Sequence, residues 1–280
     1  MHAYRSHDGA FRLRHRLERT LLAGLLNWVS LSKALVVREI RTRFSGGSLG
    51  YAWAVIIPVA WILAITVFFY WIGRSAPIAV DLPIFVATGM IPYLVFRQVV
   101  TSMMRACRAQ RHLITLGPAK PDDIFAASGL LEMINAGLVT AAILLVITSF
   151  SVVPMVQDPL TVLFGLALAW GLGMSAGRLA AVMAAASDTA QRLVPILLRP
   201  FFWISGIFFV AAELPGELHD FLWFNPLLHV IEILRLGWFG NFPSEAADFR
   251  VPLIATAALY FASRALEHSP LVGTAALSRP

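Results

Sequence analysis

Side chains able to do chemistry are few and scattered along this 280-residue chain. Its seven histidines (His2, His7, His15, His112, His219, His229 and His268) form no pair at ligand spacing. The lone cysteine, Cys107, excludes an intramolecular disulfide and a multi-cysteine metal site. The sequence has no G-x-x-x-x-G-K-[ST], no H-E-x-x-H and no G-x-S-x-G, hence no recognisable hydrolytic or nucleotide-binding site of its own. Acids gather only in 213–249, where Glu213, Glu217, Asp220, Glu232, Glu245 and Asp248 stand against Arg235. They are the only material here for a sugar-transferring enzyme, which would need clustered acids at a membrane face. Glu232 and Arg235, three apart, can pair on one helical face or stand as solvated charges. Arg97 and Glu132 fall inside apolar runs and Arg178 near the end of one. Burying such groups is costly, so they should face protein or water.

The elements that carry these residues are membrane spans. The chain is 58% apolar and 14% charged, whereas a soluble domain carries about 25% charge. Too little polar surface remains to cover a water-facing globule, so lipid must be part of the solvent. Six runs are long and apolar enough to span: about 50–72, 83–104, 124–149, 159–183, 193–212 and the short 250–266. The Arg-rich start, 1–19, is followed by an apolar run, 20–31, without an A-x-A-like cleavage site, so the first span is expected to serve as an uncleaved insertion signal.

Basic residues set the orientation. Residues 1–49 hold nine, from Arg5 to Arg43; 73–82 holds Arg74 alone; 105–123 holds Arg105, Arg108, Arg111 and Lys120; 150–158 holds none. This alternation predicts cytoplasmic N- and C-termini. It also explains the net charge of +6 without nucleic acid. Before the first span, Leu21, Leu22, Leu25, Leu26 and Val29 recur at three- and four-residue steps, as in an amphipathic helix lying in the cytoplasmic interface. Ser45-Gly46-Gly47-Ser48 breaks it from the span. Within 213–249 the apolar pieces Phe221–Phe224 and Leu227–Leu236 are too short to cross and are cut by Pro215, Pro226 and Pro243, which predicts two short helices dipping into the outer leaflet. The expected architecture is an all-α membrane protein: a cytoplasmic segment 1–49 with its interfacial helix, six spans in 50–266 with a re-entrant pair before the last, and a disordered tail, 267–280.

Three segments carry a resemblance. Val37-Arg38-Glu39-Ile40-Arg41-Thr42-Arg43-Phe44, followed by Gly47-Ser48-Leu49-Gly50-Tyr51-Ala52-Trp53 and Pro58, resembles the entry to the first span of type-2 ABC permeases that export capsular polysaccharide or O-antigen. Thr88-Gly89-Met90-Ile91-Pro92-Tyr93 resembles their second-span signature. Asn225-Pro226-Leu227-Leu228-His229-Val230-Ile231-Glu232-Ile233-Leu234-Arg235 resembles the segment before their last span. The likeness covers roughly 30–264. The family's last span is usually longer than 250–266, and 269–280 matches nothing recognisable.

The resemblance implies a half-transporter. Two copies would pair with two copies of a separate ATPase, which would hold ATP and Mg; this chain would hold no cofactor. A lipid-linked polysaccharide would pass between the two permeases. Residues Arg38, Glu39, Arg41, Arg43, Arg111, Leu113, Ile114 and Leu116 would contact the ATPase. The alternative for the basic ones is a belt against anionic lipid, and for 105–123 a loop with no partner. Aromatic rings stack on the flat faces of sugars, so Tyr51, Trp53, Trp61, Phe68, Trp71, Tyr93, Phe96, Phe201, Phe202 and Trp203 are candidates to line the path, against ordinary lipid-facing filler. Asn225, Pro226, His229, Glu232 and Arg235 are the candidate gate segment. An ion-driven transporter would want inverted repeats and midplane charges; it and a membrane enzyme on lipid-linked sugars are the competing readings.

Overall fold

The computed structural model describes residues 33–34, 36–37, 52–109, 120–149, 155–244 and 246–269. The described residues form helices joined by short irregular segments. They are α1 (Ala52–Trp71), α2 (Leu82–Ala109), α3 (Pro121–Ile147), α4 (Pro159–Ala186), α5 (Asp188–Ile204), α6 (Gly216–Leu222), α7 (Pro226–Phe239) and α8 (Arg250–Glu267), with a single 3-10 turn at Ala211–Glu213. Residues 33–34 and 36–37 are also helical. The rest of the expected interfacial helix, and the tail from 270, lie outside the described residues.

Four of these helices are long and apolar enough to cross a membrane: Ala52–Trp71, Leu82–Ala106, Pro121–Ile147 and Pro159–Ala186. They match the first four expected spans to within a few residues. The fifth differs. Its helix starts earlier, at Asp188, and stops at Ile204, so the apolar run 193–212 is not one helix. At 17 residues it is about 25 Å long, short of a hydrocarbon core of about 30 Å. It also carries Arg192 and Arg199. Residues 205–209 continue as bends, and Gly206 sits at φ +82°, a conformation that glycine adopts without strain. The expected helix pair in 213–249 is present as α6 and α7.

α2 is the central element, packed on α4, α3, α1 and α7. Small residues at every fourth position of α4 (Gly165, Ala169, Gly173, Gly177) form the seam that brings neighbours close. A Cβ on Gly173 would lie 3.1 Å from the Phe96 carbonyl oxygen, and one on Gly177 3.0 Å from Val100 Cα. On the other side a Cβ on Gly237 of α7 would lie 2.8 Å from the Val162 amide nitrogen. Backbone contact replaces side-chain interdigitation here, because lipid-embedded helices gain little from burying more apolar bulk.

The start of α4 is fixed by chemistry. Asp158 accepts from the Leu160 and Thr161 amides at 3.0 and 3.3 Å and from the Thr161 hydroxyl at 2.6 Å, with Pro159 following. Hydrogen bonding from Thr161, first through its hydroxyl, holds the Asp158 carboxyl below the usual carboxylate range. The Asp158 amide in turn donates to the Gly237 carbonyl at 2.8 Å, tying this cap to the end of α7.

The seam makes the first prediction. Gly177→Leu forces α2 and α4 apart, at about 1–3 kcal/mol for overpacking. The midpoint of heat-induced aggregation in detergent should fall clearly below wild type. Exposed Gly137→Leu, with open space around it, should leave that midpoint unchanged.

Candidate functional site

Asn225 starts α7 and begins the polar site at its core. Its Oδ1 accepts from the Leu227 amide at 3.1 Å, and Pro226 occupies the first helical position. The same side chain donates through Nδ2 to the Ile204 carbonyl at 3.0 Å and to Ser205 Oγ at 3.1 Å. One residue thus caps α7 and fastens the end of α5. His229, one turn on, has Nε2 2.7 Å from the Trp223 carbonyl, and its Nδ1 accepts from the Asp248 amide at 3.4 Å.

Glu232 and Arg235 are both fully buried. Each bonds to the irregular segment after α5 rather than to the other, which corrects the expectations of an ion pair or of solvated charges. Arg235 Nη1 donates to the carbonyls of Gly206 (2.7 Å) and Phe209 (3.1 Å); Nη2 donates to Ile207 (2.8 Å) and Phe85 (3.4 Å). Its guanidinium lies 3.9 Å over the Phe85 ring. Glu232 accepts from the Ala211 amide at 3.0 Å and the Ser244 hydroxyl at 2.7 Å. From the other side Arg74 donates to the Phe208 carbonyl at 2.7 Å. The carbonyls of Ile204, Gly206, Ile207, Phe208 and Phe209 are therefore all satisfied by side chains. Gly89 is part of this site: a Cβ there would lie 2.7 Å from Arg235 Nη2 and 2.9 Å from the Ile207 backbone. The second and third resembling segments thus meet at one place.

The aromatic candidates divide. Phe202 stacks on Trp61 (6.1 Å, 9°) and meets Tyr93 and Trp203, each at 5.2 Å; Phe96 meets Phe201 at 6.4 Å. Phe208, not singled out from sequence, joins the cluster at 5.1 Å from Phe202. Tyr93, Phe96 and Phe202 are core residues of the chain, and Tyr93 donates to the Leu198 carbonyl at 3.2 Å. Trp53, Trp61, Phe68, Trp71 and Trp203 are exposed. Tyr51 and the candidate coupling residues Arg38, Glu39, Arg41, Arg43, Arg111, Leu113, Ile114 and Leu116 lie outside the described residues.

Two cations of the α5 face were not singled out from sequence. Arg192 and Arg199 are seven residues apart, on one side of α5, and both are exposed. Exposed Arg97 of α2 lies one turn from Tyr93, whose hydroxyl bonds beside Arg199 at Leu198. Arginine inside an apolar run is the signal that would have found them.

This arrangement holds irregular backbone in place and presents cations and rings on a helical face. It sits in a bundle with four helices long and apolar enough to cross a membrane. Residues 30–239 match the ABC-2 type transporter family, and the chain belongs to that family.

Among its relatives, the polysialic acid transport protein KpsM of Escherichia coli is 30% identical over 239 residues, covering 84% of this chain and 91% of that protein. The capsule polysaccharide export inner-membrane protein CtrC of Neisseria meningitidis serogroup A is 23% identical over 229 residues, 79% of this chain and 84% of CtrC. The capsule polysaccharide export inner-membrane protein BexB of Haemophilus influenzae is 23% identical over 212 residues, 74% and 78% respectively.

Arg235→Met keeps the apolar volume and removes the donors to the Gly206, Ile207 and Phe209 carbonyls. The expected cost is about 3 kcal/mol, seen as a lower unfolding temperature and less permease extracted folded from membranes. Arg74→Met, which releases the Phe208 carbonyl at the exposed side of the segment, should cost less.

Proposed function

We propose that this chain is the membrane-spanning subunit of an ATP-driven exporter that moves a capsule-type or O-antigen-type polysaccharide, carried on a lipid, across the bacterial inner membrane. The observation that carries this reading is its likeness to KpsM over nine-tenths of that protein's length. Two copies of the chain form the path, and hydrolysis of ATP with Mg takes place on two copies of a separate ATPase. The absence of a P-loop in the sequence supports that division of labour.

In this reading α5 and α8 complete six spans with cytoplasmic termini, and α6 and α7 form a re-entrant pair in the outer leaflet. The basic-residue alternation supports it. Arg38, Glu39, Arg41 and Arg43, with the loop residues Arg111, Leu113, Ile114 and Leu116, contact the ATPase. Exposed Trp53, Trp61, Phe68, Trp71 and Trp203 supply rings on which sugars slide. Arg97, Arg192 and Arg199 favour a polymer that carries carboxylate or phosphate, because a guanidinium in a low-dielectric surround gains most from an anion.

Topology is checked with single cysteines in a Cys107→Ser background and an impermeant thiol reagent. Positions 79, 157 and 240 should label from outside, and 9, 119 and 278 only once the inner face is opened. Labelling at 157 from inside alone would exclude six spans.

Path lining is checked by export. The triple change Trp61→Leu, Phe68→Leu, Trp71→Leu removes ring contacts worth about 0.5–1.5 kcal/mol each while α1 stays apolar. Surface polymer per inserted permease should fall while ATP hydrolysis continues. Normal export would return this face to lipid.

A further inference from the structure

At the opposite end of the bundle from Arg235, four charges from three helices close into one cluster. Arg178 of α4 is buried to all but 7% of its surface. Its Nη2 donates to both carboxylate oxygens of Glu267, the last residue of α8, at 2.9 Å each. Its Nη1 donates to Asp122, the second residue of α3. Arg264 of α8 closes the ring, donating to Glu267 at 3.1 Å and lying 3.7 Å from Asp122. Aromatic faces enclose it, with Phe125 at 5.1 Å and Tyr260 at 5.7 Å from the Arg178 guanidinium. Two cations and two carboxylates balance, so the group is neutral as a whole.

Position gives the cluster its meaning. Asp122 stands immediately after the loop 110–119, which the proposed function assigns to the ATPase. Next to it Ile124 and Ala127 pack with Ala106 of α2, and Val36 of the N-terminal helical stretch rests on them. Arg178 follows Gly177, where α4 touches the α2 backbone. A push on the loop is therefore passed to both flanking helices, α2 and α3. Two ionic links join α3 to the last helix: the Arg178 guanidinium, whose two ends grip different helices, and the direct Arg264–Asp122 contact at 3.7 Å. A bidentate pair fixes direction as well as distance.

We propose that Arg178 is the positioning residue that makes the start of α3, α4 and the end of α8 move as one body when the ATPase displaces the loop, so that hydrolysis is converted into opening of the glycan path. This rests on the loop's assignment to the ATPase. Loss of the link should leave hydrolysis running while polymer movement fails.

The test uses the assembled permease–ATPase complex in cells and in vesicles, in a Cys107→Ser background. Arg178→Gln removes the guanidinium that joins the three helices and leaves the longer Arg264–Asp122 contact. Asp122→Asn, at a half-exposed side chain that leaves the Arg178–Glu267 pair intact, removes only the α3 arm and is the variant least prone to misfold. In both, ATPase copurification and ATP turnover are expected to stay near wild type while surface polymer per ATP hydrolysed falls about tenfold, a common size for coupling between sites. Reconnecting the helices covalently should then restore export: Asp122→Cys with Glu267→Cys, joined by a short bismaleimide, in the Arg178→Gln protein. Export per ATP unchanged in Asp122→Asn and Arg178→Gln overturns the proposal while the loop assignment stands. A parallel loss of ATPase binding, turnover and export, without rescue by the crosslink, also overturns it, since that is the signature of a merely structural residue. If Leu113→Asp with Leu116→Asp keeps full ATPase binding and export, the loop assignment itself fails, and the proposal falls with it.

Discussion

The bond of Arg235 to the carbonyls of Gly206, Ile207 and Phe209 is the interaction on which the end of the bundle around α7 depends. Away from water, an open backbone carbonyl costs several kcal/mol, so a chain at membrane depth is normally helical. Here α5 ends at Ile204 and the next six residues are not helix. Such backbone persists only where protein supplies the missing donors. Asn225, Arg235 and Arg74 do so for carbonyls, and Glu232 does the complementary job for the Ala211 amide. A fully buried Arg and a fully buried Glu thus have a use that neither catalysis nor an ion pair explains. They make a non-helical segment stable next to α7.

That solution places demands on neighbouring elements. The guanidinium needs a flat apolar cover, which Phe85 provides. It needs α2 to come within reach of Ile207, which the missing side chain of Gly89 allows. It needs α7 held in register against α4, which the Gly237 contact and the Asp158 cap secure. Each requirement falls on a residue type that an isolated helix would gain nothing from. The two polar centres of the bundle, Arg235 at one end and Arg178 at the other, differ in kind: the first holds backbone, the second holds other side chains. The first joins α7 to the irregular segment after α5, whereas the second joins the ends of three helices.

Membership of the ABC-2 type transporter family fits a chain whose described buried charges hold backbone and helix ends together. In the proposed reading, energy for transport arrives mechanically, through the ends of helices. The helices nearest the loop 110–119 are α2 and α3, and α2 is also the element that touches Arg235 at its far end. A single 28-residue helix, about 42 Å long, therefore connects both ends of the molecule.

Membrane class and four helices of spanning length could be read from the sequence, because hydropathy is an additive, local quantity. The runs 50–72, 83–104, 124–149 and 159–183 correspond to α1–α4, and 213–249 does hold two short helices, since proline spacing limits helix length directly. The fifth run failed for a physical reason: Ser205-Gly206 lies amid apolar residues, and hydropathy sums side chains without sensing a backbone turn. The functional segments were recognisable as segments, Thr88–Tyr93 and Asn225–Arg235, but not what they hold. Arg235 binds carbonyls 26 to 150 residues away, and a carbonyl is identical at every position, so no residue type marks it. Likewise Arg178 was visible as a charge near a span end, while its partners on α3 and α8, 56 and 89 residues away, depend on how three helices pack. Composition determined where the chain must lie in lipid; only tertiary packing decided which buried charge meets which neighbour, because that choice is made by distance in space and not by distance along the chain.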